Sequence, residues 1–184
     1  MNKKTSKKAT NITNEKNKKD KLNKKDKLNK KVMFVCNSGG HLTEMFQLEK
    51  VIKKYDYLIV TEDTKISKDI LTKSKFKNVK YVKYMSRKNM ITYVVKGVIN
   101  IFKAVIDIIK FNPKVIVSTG ACVGAIYLTI GKILGKKIIY IESIARVNTL
   151  SGTGKFVYKF ADEFFVEWEY LKDKYSKVKV LRRF

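Results

Sequence analysis

The stretch VMFVCNSGGHLTEM, residues 32–45, decides how the rest of the chain is read. Val32 to Cys36 run without a polar interruption into Asn37-Ser38-Gly39-Gly40-His41, and a helical pattern begins at once. An unbroken apolar strand suits a sheet covered by helices on both faces. Leu42, Met45, Phe46 and Ile52 then recur at helical spacing with charges between them, so a helix is expected over about 42–54.

Outward from this unit the same alternation repeats. Strands are expected at 32–37, 56–61, 79–84, 114–118, 137–142 and 163–167, and helices at about 42–54, 66–74, 88–110, 121–134, 153–160 and 168–175. Repeated β-α units of this length predict an α/β fold, a doubly wound Rossmann-like parallel sheet. Ligands of such sheets sit beyond the carboxyl ends of the strands, where the strand order reverses. In the common order, strands one and four flank that reversal. The two glycine-bearing loops follow those strands: Ser38-Gly39-Gly40-His41, and Ser118-Thr119-Gly120-Ala121-Cys122-Val123-Gly124.

The first 31 residues differ in kind. They hold thirteen lysines against three acids, and Lys-Lys-Asp-Lys-Leu-Asn occurs at 18–23 and again at 24–29. Such a segment buries too little to offset chain entropy, so a disordered lysine-rich arm is expected over 1–31 and one domain over 32–184. The net charge of +25 leaves +15 on that domain, which suits anionic lipid headgroups or phosphorylated substrates. No zinc-finger spacing, RNP-like aromatic strand or helix-turn-helix is read, and nucleic acid is not an expected partner. Cys36 and Cys122 lie far apart with no signal-peptide pattern before them; free thiols in a reducing compartment are expected. A structural zinc site is not, because His41 is the single histidine.

Gly39 and Gly40 have two readings. Without side chains they let backbone N–H groups approach a phosphate at a helix N-terminus. Equally, a tight turn can require glycine sterically, with His41 only starting the helix. The strand-five end offers Glu142 and Ser143, with Arg146 just beyond. Glu142 can accept bonds from sugar hydroxyls while Arg146 pairs with phosphate, or the two can pair with each other. LSGTGKF at 150–156 resembles a P-loop but has Thr149 where glycine is needed and Phe156 where Ser or Thr is needed, so ATP hydrolysis is excluded.

Residues 91–109 are mostly apolar, with Lys96, Asn100, Lys103 and Asp107 forming one narrow polar stripe. Charges in the middle argue against a spanning helix. A core helix remains open. The other reading is a helix lying on a membrane or partner surface, with Val98, Phe102 and Val105 in contact.

Taken together, SGGHLTEM and the run NPKVIVSTGACVGAIYLTIGKILGKKIIYIESIARVNTLSGTGKFVYKFADEFFVEWEYL resemble a known family over roughly residues 32–175. This is the membrane-associated, acceptor-side subunit of the two-subunit UDP-N-acetylglucosamine transferase of lipid-linked (dolichol-linked) oligosaccharide synthesis. The likeness is closest to its bacterial capsule and exopolysaccharide homologues. Such subunits resemble the N-terminal half of a GT-B glycosyltransferase, and a separate chain binds the sugar nucleotide. The resemblance implies a polypeptide that recruits and activates that partner at the cytoplasmic membrane face. Its implied reaction is sugar transfer from a UDP-sugar to a lipid-diphosphate-linked acceptor.

Carried across, the resemblance implies site residues Ser38, Gly39, Gly40, His41, Gly120, Gly124, Glu142, Ser143 and Arg146. Where eukaryotic members carry an N-terminal transmembrane anchor, this sequence has its lysine-rich arm, so peripheral, charge-assisted attachment is expected. An imidazole suits a general base near neutral pH, and His41 is the expected catalytic residue. No Asp-x-Asp occurs, and neither metal nor cofactor is expected. A non-catalytic membrane scaffold for the partner transferase is the alternative.

Overall fold

The computed structural model describes residues 30–74, 76–86 and 88–181. The arm expected over 1–31 lies outside them except at its last two positions, and Lys31 already belongs to the first strand. Seven parallel strands form one sheet: β1 (Lys31–Cys36), β2 (Asp56–Glu62), β3 (Val79–Val82), β4 (Val115–Gly120), β5 (Lys137–Ile141), β6 (Glu163–Val166) and β7 (Val178–Val180). Their order is β3-β2-β1-β4-β5-β6-β7, so the direction of winding reverses between β1 and β4.

Alternate residues of the unbroken apolar strands enter opposite cores, because successive side chains of a strand point to opposite faces. Met33 and Val35 of β1 join Ile116, Ile138, Tyr140 and Phe164 on one face. That face is covered by α4 (Met90–Phe111) and α5 (Ala121–Ile133), with α6 (Gly152–Val157) and α7 (Leu171–Lys174) adding Val157 and Leu171. Val32, Phe34 and Cys36 join Ile59, Val117 and Ile141 on the other, under α1 (Gly40–Phe46), α2 (Glu49–Ile52) and α3 (Lys65–Ser74). The doubly wound Rossmann-like sheet expected from the alternation is the architecture observed.

Several boundaries differ from expectation. The helix expected over 42–54 is two helices, because Gln47 and Leu48 donate to the carbonyls three residues back, Glu44 and Met45, and tighten the chain between α1 and α2. The helices expected at 153–160 and 168–175 close earlier, at Val157 and Lys174. Strand β7 was not anticipated: Val178–Val180 is too short to carry a periodic signal.

Helix α4 is packed with its polar stripe inward. Asn100 is fully buried and clamps the backbone of Lys83, accepting from its N–H at 3.0 Å and donating to its carbonyl at 2.8 Å. Asp107 pairs with Lys80 and accepts from the Tyr127 hydroxyl at 2.8 Å. These bonds satisfy the polar groups that packing encloses. The apolar residues therefore face out: Phe102 is 65 % exposed and Val98 46 %, while Val105 is half-buried. Asn89 caps the start by accepting from Thr92 N–H, and left-handed Asn112, followed by Pro113, ends the helix. Among the described residues no helix is long and apolar enough to cross a membrane.

Candidate functional site

The reversal between β1 and β4 brings the two glycine-bearing loops side by side. The register of β1 on β4 shifts after Val35, so that Cys36 sits opposite Gly120. Asn37 bridges the loops, accepting from Val123 N–H at 3.0 Å. Ser38 donates both its N–H and its hydroxyl to Glu62 at the end of β2, at 3.1 and 3.2 Å. The other Glu62 oxygen accepts from Met85 N–H, so one buried carboxylate ties the glycine loop to the approach into α4.

The two glycines of that loop differ. Gly39 has φ +78°, a conformation that requires glycine. Gly40 has ordinary φ, and a Cβ there would meet no atom within 4 Å. The fold therefore has no steric need for glycine at Gly40, and its surface lies open to an incoming group.

His41 is the second residue of α1 and makes no cap; the cap position is Gly39, without a side-chain bond. It therefore does not act as the helix cap. Instead the ring crosses to the second loop, and Nδ1 lies 2.9 Å from the Thr119 carbonyl. A carbonyl only accepts, so Nδ1 carries a proton, and in the neutral ring Nε2 keeps its lone pair. In return the Thr119 hydroxyl donates to the His41 carbonyl at 2.8 Å. Gly120, at φ +119°, is glycine for this reason, since a Cβ would press on the His41 ring and the Tyr140 hydroxyl.

Glu44, one turn on, lies 3.7 Å from His41 Nδ1. Its carboxylate raises the imidazole above its ordinary value; partial burial opposes this, while the Thr119 carbonyl and Glu142 add to it. Burial alone would push the Glu44 carboxyl up, but His41, the Ser143 hydroxyl and the Ile144 N–H hold it below the usual range.

The third loop follows β5. Glu142 is 1 % exposed, and its oxygens accept from the N–H groups of Ser143 and Ser151, at 3.0 and 2.9 Å, and from the Ser151 hydroxyl. A Cβ at Gly154 would collide with this carboxylate, which explains the glycine of the P-loop-like stretch. Among the described residues Glu142 and Arg146 form no ion pair, so that reading is corrected: the partners of Glu142 are backbone N–H groups and the hydroxyls of Ser151 and Tyr140. Arg146 is exposed and reaches a cleft of about 580 Å³ shared with His41, Cys122, Ser143, Ser151 and Thr153.

Of the residues anticipated, His41, Ser143 and Arg146 line this cleft, with Gly120 directly behind the imidazole. Ser38, Gly39 and Gly40 form the adjoining loop. Glu142 lies beneath the third loop, and Gly124 faces inward, where a Cβ would collide with Ser118 Oγ. The sequence did not single out Glu44, Ser151 or Thr153. It also missed Ala121, which enters α5 at φ +61°, a conformation costing about 1–3 kcal/mol for a non-glycine residue. The mark of Glu44 was its spacing, three residues after a lone histidine on one helical face.

Residues 32–183 match the family described as "Oligosaccharide biosynthesis protein Alg14 like". The chain belongs to the Alg14 family. It is 32 % identical over 166 residues to the UDP-N-acetylglucosamine transferase subunit alg14 of Schizosaccharomyces pombe, covering 78 % of each chain. To the ALG14 subunit of Yarrowia lipolytica it is 29 % identical over 168 residues, covering 80 % of this chain and 77 % of that one. Among solved structures, Acinetobacter baumannii MurG superposes with a TM-score of 0.64 at 14 % identity over 75 % of this Alg14-family chain and 41 % of its own. The UDP-GlcNAc 2-epimerase of Neisseria meningitidis gives 0.67 at 12 % identity, over 82 % and 46 %. The chain thus spans less than half the length of either enzyme. At such identities these likenesses establish the shared fold alone.

Proposed function

We propose that this chain is the acceptor-side half of a split GT-B glycosyltransferase. It recruits and activates a separate sugar-nucleotide-binding subunit at the cytoplasmic face of the membrane. The assembled pair transfers a sugar from a UDP-sugar to a hydroxyl of a lipid-diphosphate-linked acceptor in oligosaccharide or polysaccharide synthesis. Membership of the Alg14 family supports this, as do relatives named as subunits of a UDP-N-acetylglucosamine transferase. Within the family, the resemblance of the Ser-Gly-Gly-His and Glu-Ser-x-x-Arg blocks to capsule and exopolysaccharide homologues supports a bacterial cell-surface polysaccharide as the product.

The observation that carries the reading is the orientation of His41. Nδ1 is tied to Thr119, and the ring borders the cleft at the sheet's switch point. In the proposed reaction Nε2 takes the acceptor hydroxyl's proton as the oxygen attacks the anomeric carbon, and the bond to UDP breaks with its electron pair. The open backbone at Gly40, Arg146 and the N-terminal end of α5 offset diphosphate charge. The outward apolar face of α4 rests on the bilayer, with nearby lysines toward anionic headgroups. Attachment is peripheral.

The test is an assay on a lipid-linked acceptor with several UDP-sugars, run with this chain alone, its partner alone and both together. Turnover is expected only from the pair. Robust transfer by highly purified, partner-free chain would overturn the split-enzyme reading.

A further inference from the structure

We propose that Glu44 is the positioning residue of His41: its carboxylate fixes the imidazole and stabilises the cation formed when Nε2 takes up the acceptor proton. The inference rests on the reading of His41 as the base. Its ground is the way the two Glu44 oxygens are used. Oε1 accepts from the Ser143 hydroxyl at 2.6 Å and from Ile144 N–H at 3.2 Å, which anchors the carboxylate to the third loop. Oε2 is buried, has no hydrogen-bond partner and lies 3.7 Å from His41 Nδ1.

A buried carboxylate oxygen left unsatisfied is costly, about 1–3 kcal/mol or more for a charged group. Packing alone gives no return for that cost. A positive charge arriving on the neighbouring ring does, because Coulomb attraction is strong where water is excluded. The proton balance fits: the acceptor O–H bond breaks, the proton moves to Nε2, and the positive charge delocalises to Nδ1–H, beside Glu44.

The other polar and charged groups facing His41 do not supply this. From β5 comes the Tyr140 phenol, held neutral by burial, and just beyond it Glu142, whose oxygens are engaged by Ser143 and Ser151. From α5 comes Cys122, and from the third loop Arg146, whose charge opposes the cation. Among the described residues, Glu44 alone combines a free oxygen with proximity to His41. It also links the loops after β1 and β5, so that base and cleft wall move together.

His41 is the single histidine, so its Cε1–H resonance can be titrated without assignment in the full chain carrying no histidine tag. In the wild type its midpoint is expected above that of the same histidine in the urea-unfolded chain. In Glu44→Gln it should fall to the unfolded value or below, and Glu44→Asp, which keeps the charge, should restore part of the difference. With the partner subunit present, Glu44→Gln should lower kcat about tenfold or more with little change in KM, and the acidic limb of the pH profile should move to lower pH.

A wild-type midpoint no higher than in the unfolded chain would overturn the inference even if Glu44→Gln failed to fold. So would an unchanged midpoint in folded Glu44→Gln. Near-normal turnover of a folded His41→Ala complex would instead remove the base reading, and Glu44's catalytic role with it.

Discussion

His41 and Thr119 hold one another across the reversal of the sheet by two hydrogen bonds. The imidazole Nδ1–H donates to the Thr119 carbonyl at 2.9 Å, and the Thr119 hydroxyl donates to the His41 carbonyl at 2.8 Å. The exchange fixes the tautomer and locks two loops 78 residues apart into one site. It also makes the imidazole's free nitrogen a consequence of the fold.

If Nε2 is the base, His41→Ala in the assembled complex should lower turnover by about 10²–10⁴-fold and leave partner binding intact. His41→Asn should do little better: its amide can restore a bond to Thr119 but takes up no proton near neutral pH. Steady-state turnover and a pull-down of the partner subunit, measured on the same preparations, separate these effects. A scaffold would tolerate both substitutions.

The glycines give a second contrast. Gly124→Ala forces a Cβ into Ser118 Oγ and should lower stability by about 1–3 kcal/mol, the cost of overpacking. A Cβ at Gly40 finds open space within 4 Å, so Gly40→Val should cost little stability while acceptor or nucleotide binding weakens. Urea midpoints and KM values test the pair, and equal loss of stability in both would contradict it.

How much of this was legible in the sequence depends on range. The apolar run into Ser38-Gly39-Gly40-His41 announced a strand, a turn and a helix, because each is a local pattern. The meeting of the two loops followed from the parallel order, since 3-2-1-4 winding permits only one reversal. The partner of His41 was not legible, because a backbone carbonyl carries no sequence signal. Glu142 and Glu44 exchanged prominence for a related reason: spacing cannot say which carboxylate a loop will bury beneath itself. The stripe on α4 was visible, but its direction was not. Asn100 and Asp107 turn inward only because Lys83, Lys80 and Tyr127 wait there.

The His41–Glu44 pair sets a pH dependence of stability whose sign is fixed. The His41 pKa is raised on folding, so its contribution is complete below the ordinary value of 6.5 and is lost as pH rises through the folded value. That of Glu44 is lowered, so its contribution is present above the ordinary 4.5 and is lost as pH falls through the folded value. Both act between about pH 4.5 and 6.5. The melting temperature of wild type minus that of His41→Gln should be largest there and shrink on either side. A difference that grows as pH rises above 7 would contradict the assignment.

The outward face of α4 makes the final prediction. Helix interiors seldom leave Met90, Ile91, Val94, Phe102 and Ile109 exposed together, and here the inward stripe is polar instead. The helix begins after β3, on the side of the sheet where the strands' carboxyl ends and the cleft lie, so a bilayer there would bring lipid-linked acceptors toward His41. Binding should combine apolar insertion with attraction of anionic lipid, worth about 1 kcal/mol per basic residue near the surface. Removing residues 1–29, with eleven lysines, should weaken flotation with anionic vesicles and flatten its salt dependence. Val98→Ser with Phe102→Ser should remove most of what remains without unfolding the chain, because both side chains are exposed. Half-buried Val105 is the worse choice, since a polar group there would disturb packing as well. Flotation of both variants at the wild-type level, at low and high salt alike, would release α4 from the membrane and leave its apolar face to a protein partner.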